Sequence, residues 1–187
     1  MGLEGELLIG NTLVDMYAKC GILEEANLVF DRLLVQTSTS WTALVSGYIE
    51  CGHYDMGLHF YEQMQHKSIS MNVVTYVSIL KASSRKGSIE KGKEIHNEII
   101  RKGLLGKDVV LGTALVDMYA KCGAIVKAEQ VFNELPVRNV ASWNAVIAGC
   151  VQCGQSEDAL NHFMQMKREG FYPDGITLSS VLKACGS

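Results

Sequence analysis

Leu13-Val14-Asp15-Met16-Tyr17-Ala18-Lys19-Cys20-Gly21 occurs twice in this chain, returning unchanged as Leu115 to Gly123 at an offset of 102 residues. Further out, Ser40-Trp41 returns as Ser142-Trp143, and Ile79-Leu80-Lys81-Ala82 as Val181-Leu182-Lys183-Ala184, both at the same offset. The sequence is a super-repeat traversed nearly twice, and self-similarity at a fixed period decides architecture before any finer reading.

A shorter period lies inside the super-repeat. Gly21, Gly52, Gly87, Gly123 and Gly154 are separated by 31, 35, 36 and 31 residues, and each stands between two apolar-periodic stretches. A glycine there suits the left-handed cap that ends a helix, where any Cβ would be strained. Five residues beyond each glycine is a small residue (Ala26, Gly57, Gly92, Ala128, Ala159), and four further on a ring (Phe30, Tyr61, His96, Phe132, Phe163). That spacing puts small residue and ring one helical turn apart on one face, where the small residue lets two helices approach. The only prolines, Pro136 and Pro173, fall between units, where a helix must stop.

The unit is helix, glycine turn, helix, then a short link. One such hairpin cannot bury its apolar face, so stacking supplies the core. Five complete units are expected at 7–37, 38–72, 73–108, 109–139 and 140–174, with the first helix of a sixth at 175–187. The expected fold is all-α, an alpha-alpha superhelix (α-solenoid) of tandem helix-turn-helix repeats forming a single array over 1–187. With no partner before the first unit and the last cut short, the chain reads as a fragment of a longer array.

Composition agrees with a folded, soluble class: 48% hydrophobic and 20% charged residues. No apolar run approaches the ~20 residues that span a bilayer, so no membrane is expected. The opening Met1-Gly2-Leu3-Glu4-Gly5-Glu6 has neither a basic stretch nor an apolar signal core, and Glu6 stands where a myristoylation motif needs Ser or Thr. The formal net charge of −3 argues against a generally polyanion-binding surface. Nucleic-acid binding would need a local basic track.

The motifs carry a family resemblance. Asp15 to Gly21 with Ala26 and Val29-Phe30 resembles the short motif of plant pentatricopeptide repeat proteins. Ser142-Trp143-Asn144-Ala145-Val146-Ile147-Ala148-Gly149 resembles their standard motif; Gly92-Lys93-Glu94-Ile95-His96 and Val181-Leu182-Lys183-Ala184-Cys185 resemble their long motif. The order short, standard, long resembles the subclass (PLS) associated with organellar RNA editing, over essentially the whole chain. Tetratricopeptide repeats, with a constant period of about 34 residues and a proline at each unit end, fit less well.

The resemblance implies a concave groove reading single-stranded RNA at about one base per repeat. The readers it implies are a polar residue in the first turn of the first helix and the last residue of the unit. These are Asn11 with Thr37, Thr42 with Asn72, Val77 with Asp108, Thr113 with Asn139, and Asn144 with Asp174, with Ser179 opening a sixth pair. The family's pairing rules make Thr42/Asn72 and Thr113/Asn139 adenine readers and Asn144/Asp174 a uracil reader; Asn11/Thr37 is taken as a pyrimidine reader. Val77 cannot hydrogen-bond a base, and the expected ligand is 5′-Y-A-N-A-U-3′. The competing reading is that these small polar residues only cap helix starts.

Beside the readers, Leu8, Thr39, Val74, Val110, Ala141 and Ile176 are base-clamping neighbours by resemblance, or ordinary packing between units. Lys19, Arg85 and Lys121 share one register, two residues before a capping glycine, as phosphate contacts or as cations favoured by the helix dipole. Glu50 and Gln152 break that track.

Two chemical motifs are weighed and set aside. His96-Asn97-Glu98 with Cys150-Val151-Gln152-Cys153 mimics a zinc deaminase, which the editing branch of the family carries as a separate C-terminal domain. However, His96 occupies the ring slot, Cys153 matches Cys20, Cys51 and Cys122, and Gly149 stands where that signature has proline. The six cysteines repeat by register and are expected to be reduced. His53, His59, His66 and His162 show no spacing tied to a carboxylate or a metal. No catalytic residue, metal or cofactor is expected, and the segment is not expected to be an enzyme. The expected role is RNA recognition for an organellar editing or processing factor, in chloroplast or mitochondrion, with editing-complex proteins as further partners. The alternative is a protein-interaction scaffold; self-association through uncovered terminal hairpins is a further expectation.

Overall fold

The computed structural model describes residues 3–186, and of Leu3 and Glu4 only the backbone. Met1 and Gly2, where the opening stretch was read for a targeting signal, and Ser187 lie outside the described residues. Among the described residues there are eleven helices and no strand. They are α1 (Leu3–Lys19), α2 (Leu23–Arg32), α3 (Ser38–Glu50), α4 (Tyr54–His66), α5 (Val73–Lys86), α6 (Ile89–Arg101), α7 (Val109–Lys121), α8 (Ile125–Glu134), α9 (Val140–Gln152), α10 (Ser156–Arg168) and α11 (Gly175–Cys185). Helix α1 opens ahead of residue 7, where the repeat pattern placed the first unit. Period marks where a motif recurs, and it carries no information on how far a helix runs ahead of the first copy. Among the described residues no helix is long and apolar enough to cross a membrane.

The glycine turn is a Schellman cap. At Gly21 (φ 75°) the glycine N–H donates to Ala18 O at 3.1 Å, and the next N–H, Ile22, donates to Tyr17 O at 2.9 Å. Gly123 (φ 75°) repeats the arrangement, with Ala124 N–H on Tyr119 O at 2.9 Å. The left-handed residue satisfies carbonyls the helix would leave unpaired and reverses the chain within three residues.

The chain forms two compact units, residues 1–82 and 83–187. In the first, α1 packs on α2 and α3, and α3 on α4. Its core holds Val14, Ala26, Phe30, Trp41, Leu44, Tyr61, Met64, Tyr76 and Ile79, with Phe30 edge-on to Trp41 at 4.8 Å. In the second, α7 packs on α8 and α9, and α9 on α10 and α11. Its core holds Ile95, Leu115, Tyr119, Ala128, Phe132, Trp143, Val146 and Ile147, with Phe132 at 4.6 Å from Trp143.

The register of small residue and ring explains the close packing. Ala26, Gly57, Gly92, Ala128 and Ala159 are all buried, as are four of the five rings, Phe163 being half-buried. Adjacent first helices touch even more closely: a Cβ on Gly47 would stand 2.6 Å from Ala18 Cβ, and one on Gly149 2.6 Å from Ala120 Cβ. First helices thus run side by side within each unit and present their opening turns as neighbours.

Candidate nucleic-acid interface

The opening turns of α3, α5, α7, α9 and α11 have donors to satisfy, and the residue before each helix does so. Thr37 accepts from Ser40 N–H at 3.4 Å, Asn72 from Thr75 N–H at 2.9 Å, and Asn139 from Ser142 N–H at 2.8 Å. Asp108 accepts from the N–H groups of Val110 (2.8 Å) and Leu111 (3.1 Å). Asp174 accepts from those of Ile176 (3.0 Å) and Thr177 (2.9 Å). Capping is therefore a role these residues do have.

The same side chains also reach back to the preceding first helix. Thr37 Oγ1 donates to Asn11 Oδ1 at 3.2 Å, and Thr113 Oγ1 lies 3.4 Å from Asn139 Oδ1. Asn144 Nδ2 donates to both carboxylate oxygens of Asp174 at 3.0 Å. Thr42 meets Asn72 through Thr75, at 2.8 Å to the Thr75 hydroxyl, which in turn lies 3.1 Å from Asn72 Oδ1. Four of the sequence pairs are thus assembled in space. Val77 is half-buried on α5 and has no polar side-chain atom; Ser179 is exposed on α11.

Capping fixes what each side chain offers outward. Because a cap must accept, the Oδ1 of Asn72 and of Asn139 points to the helix, and the amide nitrogen is left as an outward donor. Asp174 is an acceptor only. Its carboxyl is held below the ordinary range chiefly by the Thr177 N–H; burial opposes this, and Asn144, the Thr177 hydroxyl and the Ile176 N–H add to it.

Three residues before each first-helix reader, on the same face, stands a second exposed side chain. Leu8 is 68% exposed, Val74 55%, Val110 54% and Ile176 63%; Thr39 and Ala141 are exposed as well. Packing between units, one of the two readings open for these positions, leaves over half of each apolar side chain in water. In the first unit an open groove of about 280 Å³ gathers these parts: Thr42 and Asn72, with Thr39 and Val74, and Lys19 beside Asp15 and Glu50. A larger cavity of about 540 Å³, lined by residues 21–25, Tyr48 and His53, holds Glu24 and Glu25 and none of the paired residues.

The cations are tethered rather than free. Lys19 Nζ lies 2.7 Å from Asp15 and Lys121 Nζ 2.6 Å from Asp117, each pair one turn apart. The Asp15 hydrogen bond, foremost, raises the Lys19 pKa and keeps it charged. Exposed pairs of this kind are weakly held. Arg85 is exposed at the end of α5.

His96, in the deaminase-like set, is buried with Nδ1 3.0 Å from the Tyr119 hydroxyl, and burial lowers its pKa. Cys150 instead faces Glu129 and His162, and all six cysteines are free. His162 Nε2 lies 3.0 Å from Glu129 Oε1, which corrects the reading of His162 as tied to no carboxylate. The two residues are 33 apart on different helices, beyond any spacing rule within one helix. The Cys150 thiol is pushed up to about 12, first by burial and then by the Glu129 charge.

Comparison with known proteins gives one consistent result. The PPR repeat family profile matches residues 36–85 and 138–187, just over half of the chain, and the PPR repeat profile matches 11–36, 74–104 and 113–140. A putative pentatricopeptide repeat-containing protein of Arabidopsis thaliana is 45% identical over 96% of this chain and 22% of its own length. Another from that plant, described as chloroplastic, is 40% identical over 96% of this chain and 34% of its own. The chain spans about a fifth to a third of the length of these relatives. Among solved structures, the pentatricopeptide repeat protein PPR10 in complex with an 18-nucleotide psaJ RNA element superposes with a TM-score of 0.74 at 19% identity, over 97% of this chain and 28% of that one. The PPR domain of Arabidopsis thaliana protein-only RNase P 1, in complex with tRNA, gives 0.73 at 14% identity, over 97% of this chain and 99% of that one. At these identities the likeness is one of fold.

Proposed function

This chain belongs to the pentatricopeptide repeat family, and on that premise we propose that it binds single-stranded RNA sequence-selectively, about one base per hairpin. The observation that carries the reading is the groove in residues 1–82, where one polar pair, two flanking shoulders and a lysine line a single opening. A base enters edge-first toward Thr42 and Asn72, its faces between Thr39 and Val74, while Lys19 exchanges Asp15 for a phosphate. The two solved likenesses described as RNA complexes accord with this use of the fold.

Hydrogen-bond chemistry sets the preferences. The outward amide nitrogens of Asn72 and Asn139 donate, and so suit adenine or cytosine, whose ring nitrogen on the pairing edge accepts. The Asp174 carboxylate accepts, and so suits uracil or guanine, whose ring N–H donates. The family's pairing rules, with Thr42 and Thr113 beside the asparagines and Asn144 beside the aspartate, narrow these to adenine and uracil. Val77 leaves the unit ending at Asp108 unselective, giving 5′-Y-A-N-A-U-3′. We assign the units at 7–37, 38–72, 73–108, 109–139 and 140–174 as short, standard, long, short and standard, the order of the editing-associated subclass. The whole protein is then an organellar editing or processing factor, an assignment that the chloroplastic relatives favour. Selection from a randomised RNA pool tests the reading: adenines enriched two positions apart, followed by uracil, are expected, and a pool without adenine enrichment would sink it.

A further inference from the structure

Positions 27, 48 and 60 meet between α2, α3 and α4 in the first unit, and they recur 102 residues later at 129, 150 and 162. In the first unit they are Asn27, Tyr48 and Phe60. There the Asn27 amide donates to the Tyr48 hydroxyl, and the Phe60 ring lies 5.3 Å from that of Tyr48. This is ordinary structural packing. In the second unit all three have changed to metal-ligating types: Glu129 on α8, Cys150 on α9 and His162 on α10.

The geometry follows the chemistry. Cys150 Sγ lies 3.9 Å and His162 Nε2 3.0 Å from Glu129 Oε1, and one ligand atom from each residue falls within 4.8 Å of the others. It is the only such group among the described residues. Zinc bonded at 2.0–2.3 Å in a tetrahedron holds its donors about 3.3–3.8 Å apart, so the cluster closes on an ion with shifts of about an ångström. His162 Nδ1, on the other side of the ring from the ligand nitrogen, has no hydrogen-bond partner among the described residues, so it leaves Nε2 as the nitrogen turned to the cluster. Cys150 is fully buried, whereas Glu129 retains 31% of its side-chain exposure, leaving a path inward from solvent.

We propose that Glu129, Cys150 and His162 form a binding site for a divalent transition-metal ion, zinc foremost, with solvent as the fourth ligand. A thiol, an imidazole and a carboxylate are the donors zinc takes, and the sulfur discriminates against magnesium and calcium. On binding, the ion forms a bond to Cys150 Sγ and the thiol proton leaves to solvent; no electron is transferred. The site fastens α8 to both helices of the following hairpin, α9 and α10.

Cobalt(II) titration of the whole chain tests this, compared with the triple variant E129N/C150Y/H162F and with C150A. The triple variant installs the first unit's own set, which that packing already accommodates. One equivalent of cobalt should give a thiolate-to-cobalt charge-transfer band, abolished by zinc, and zinc should raise the thermal midpoint by several degrees. Both effects should be lost in the two variants. If the triple variant fails to fold, C150A decides alone. No charge-transfer band in the parent chain, or a band of equal strength in C150A (metal on the other cysteines), overturns the proposal. Neither result depends on RNA binding.

Discussion

The stack α2–α4 and the stack α8–α10 are built to one plan, yet they differ in what they place on it. Both seat a buried tryptophan, Trp41 or Trp143, edge-on against a buried phenylalanine. Both lay a cation over that tryptophan, from different sequence positions. In the first copy Lys67 lies 4.9 Å from the Trp41 ring, and Gln36 stands at the counterpart of Arg138. In the second, Arg138 lies 5.7 Å from the Trp143 ring and is paired with Glu169, the counterpart of Lys67, at 3.2 Å. Groups that hold helices together are conserved between copies, while groups at the opening turn and at the 129/150/162 cluster diverge. The difference separates scaffold from information.

The strongest challenge to that separation is to remove the tryptophan in each copy. Trp41→Ala and Trp143→Ala should each destabilise by about 3–5 kcal/mol, and by similar amounts, in thermal or denaturant unfolding. Markedly unequal losses would mean that the copies are not equivalent scaffolds. Next in size, Gly47→Ala and Gly149→Ala drive a methyl against Ala18 and Ala120 respectively, and should cost about 1–3 kcal/mol each by the same measurement.

Substitutions on the informational side should leave stability almost untouched. Asn139→Asp keeps the helix cap but exchanges an outward donor for an acceptor. In binding titrations, preference at the fourth unit should move from adenine toward guanine by about tenfold or more, the size of one well-formed base contact. Asp174→Asn is the mirror experiment and should weaken uracil preference.

A smaller effect concerns acid. The Asp174 carboxyl is lowered in the folded chain from its ordinary value of 3.8. Its contribution to stability is therefore complete above that value and is lost as pH falls through the lowered one. Unfolding midpoints followed downward from pH 5 should fall more steeply for the parent chain than for Asp174→Asn. The Asn139 cap, an amide, contributes no such slope. Smallest of all, Lys19→Ala should weaken every RNA alike and reduce the salt slope of binding by about one.

Much of this was legible in the sequence, because repetition turns distant contacts into register. Gly21 and Gly123 announced their caps, and Ala26 and Phe30 their buried face; the pairing of Asn144 with Asp174 came from the family resemblance, and the fold joins the two. Contacts specific to one copy were hidden. Glu129 and His162 are brought together because α8 and α10 both pack on α9, and the one sign of it was the joint departure of 129, 150 and 162 from Asn27, Tyr48 and Phe60. The extension of α1 back to Leu3 was equally invisible to period, because helix persists there without a repeat to mark it.

The most direct test of base reading is titration of the whole chain with a short RNA containing C-A-C-A-U against a scrambled control, at two salt concentrations. The account predicts tighter binding to the ordered site, weakening as salt rises while the preference persists. Equal affinity for the two RNAs at both salts would contradict it.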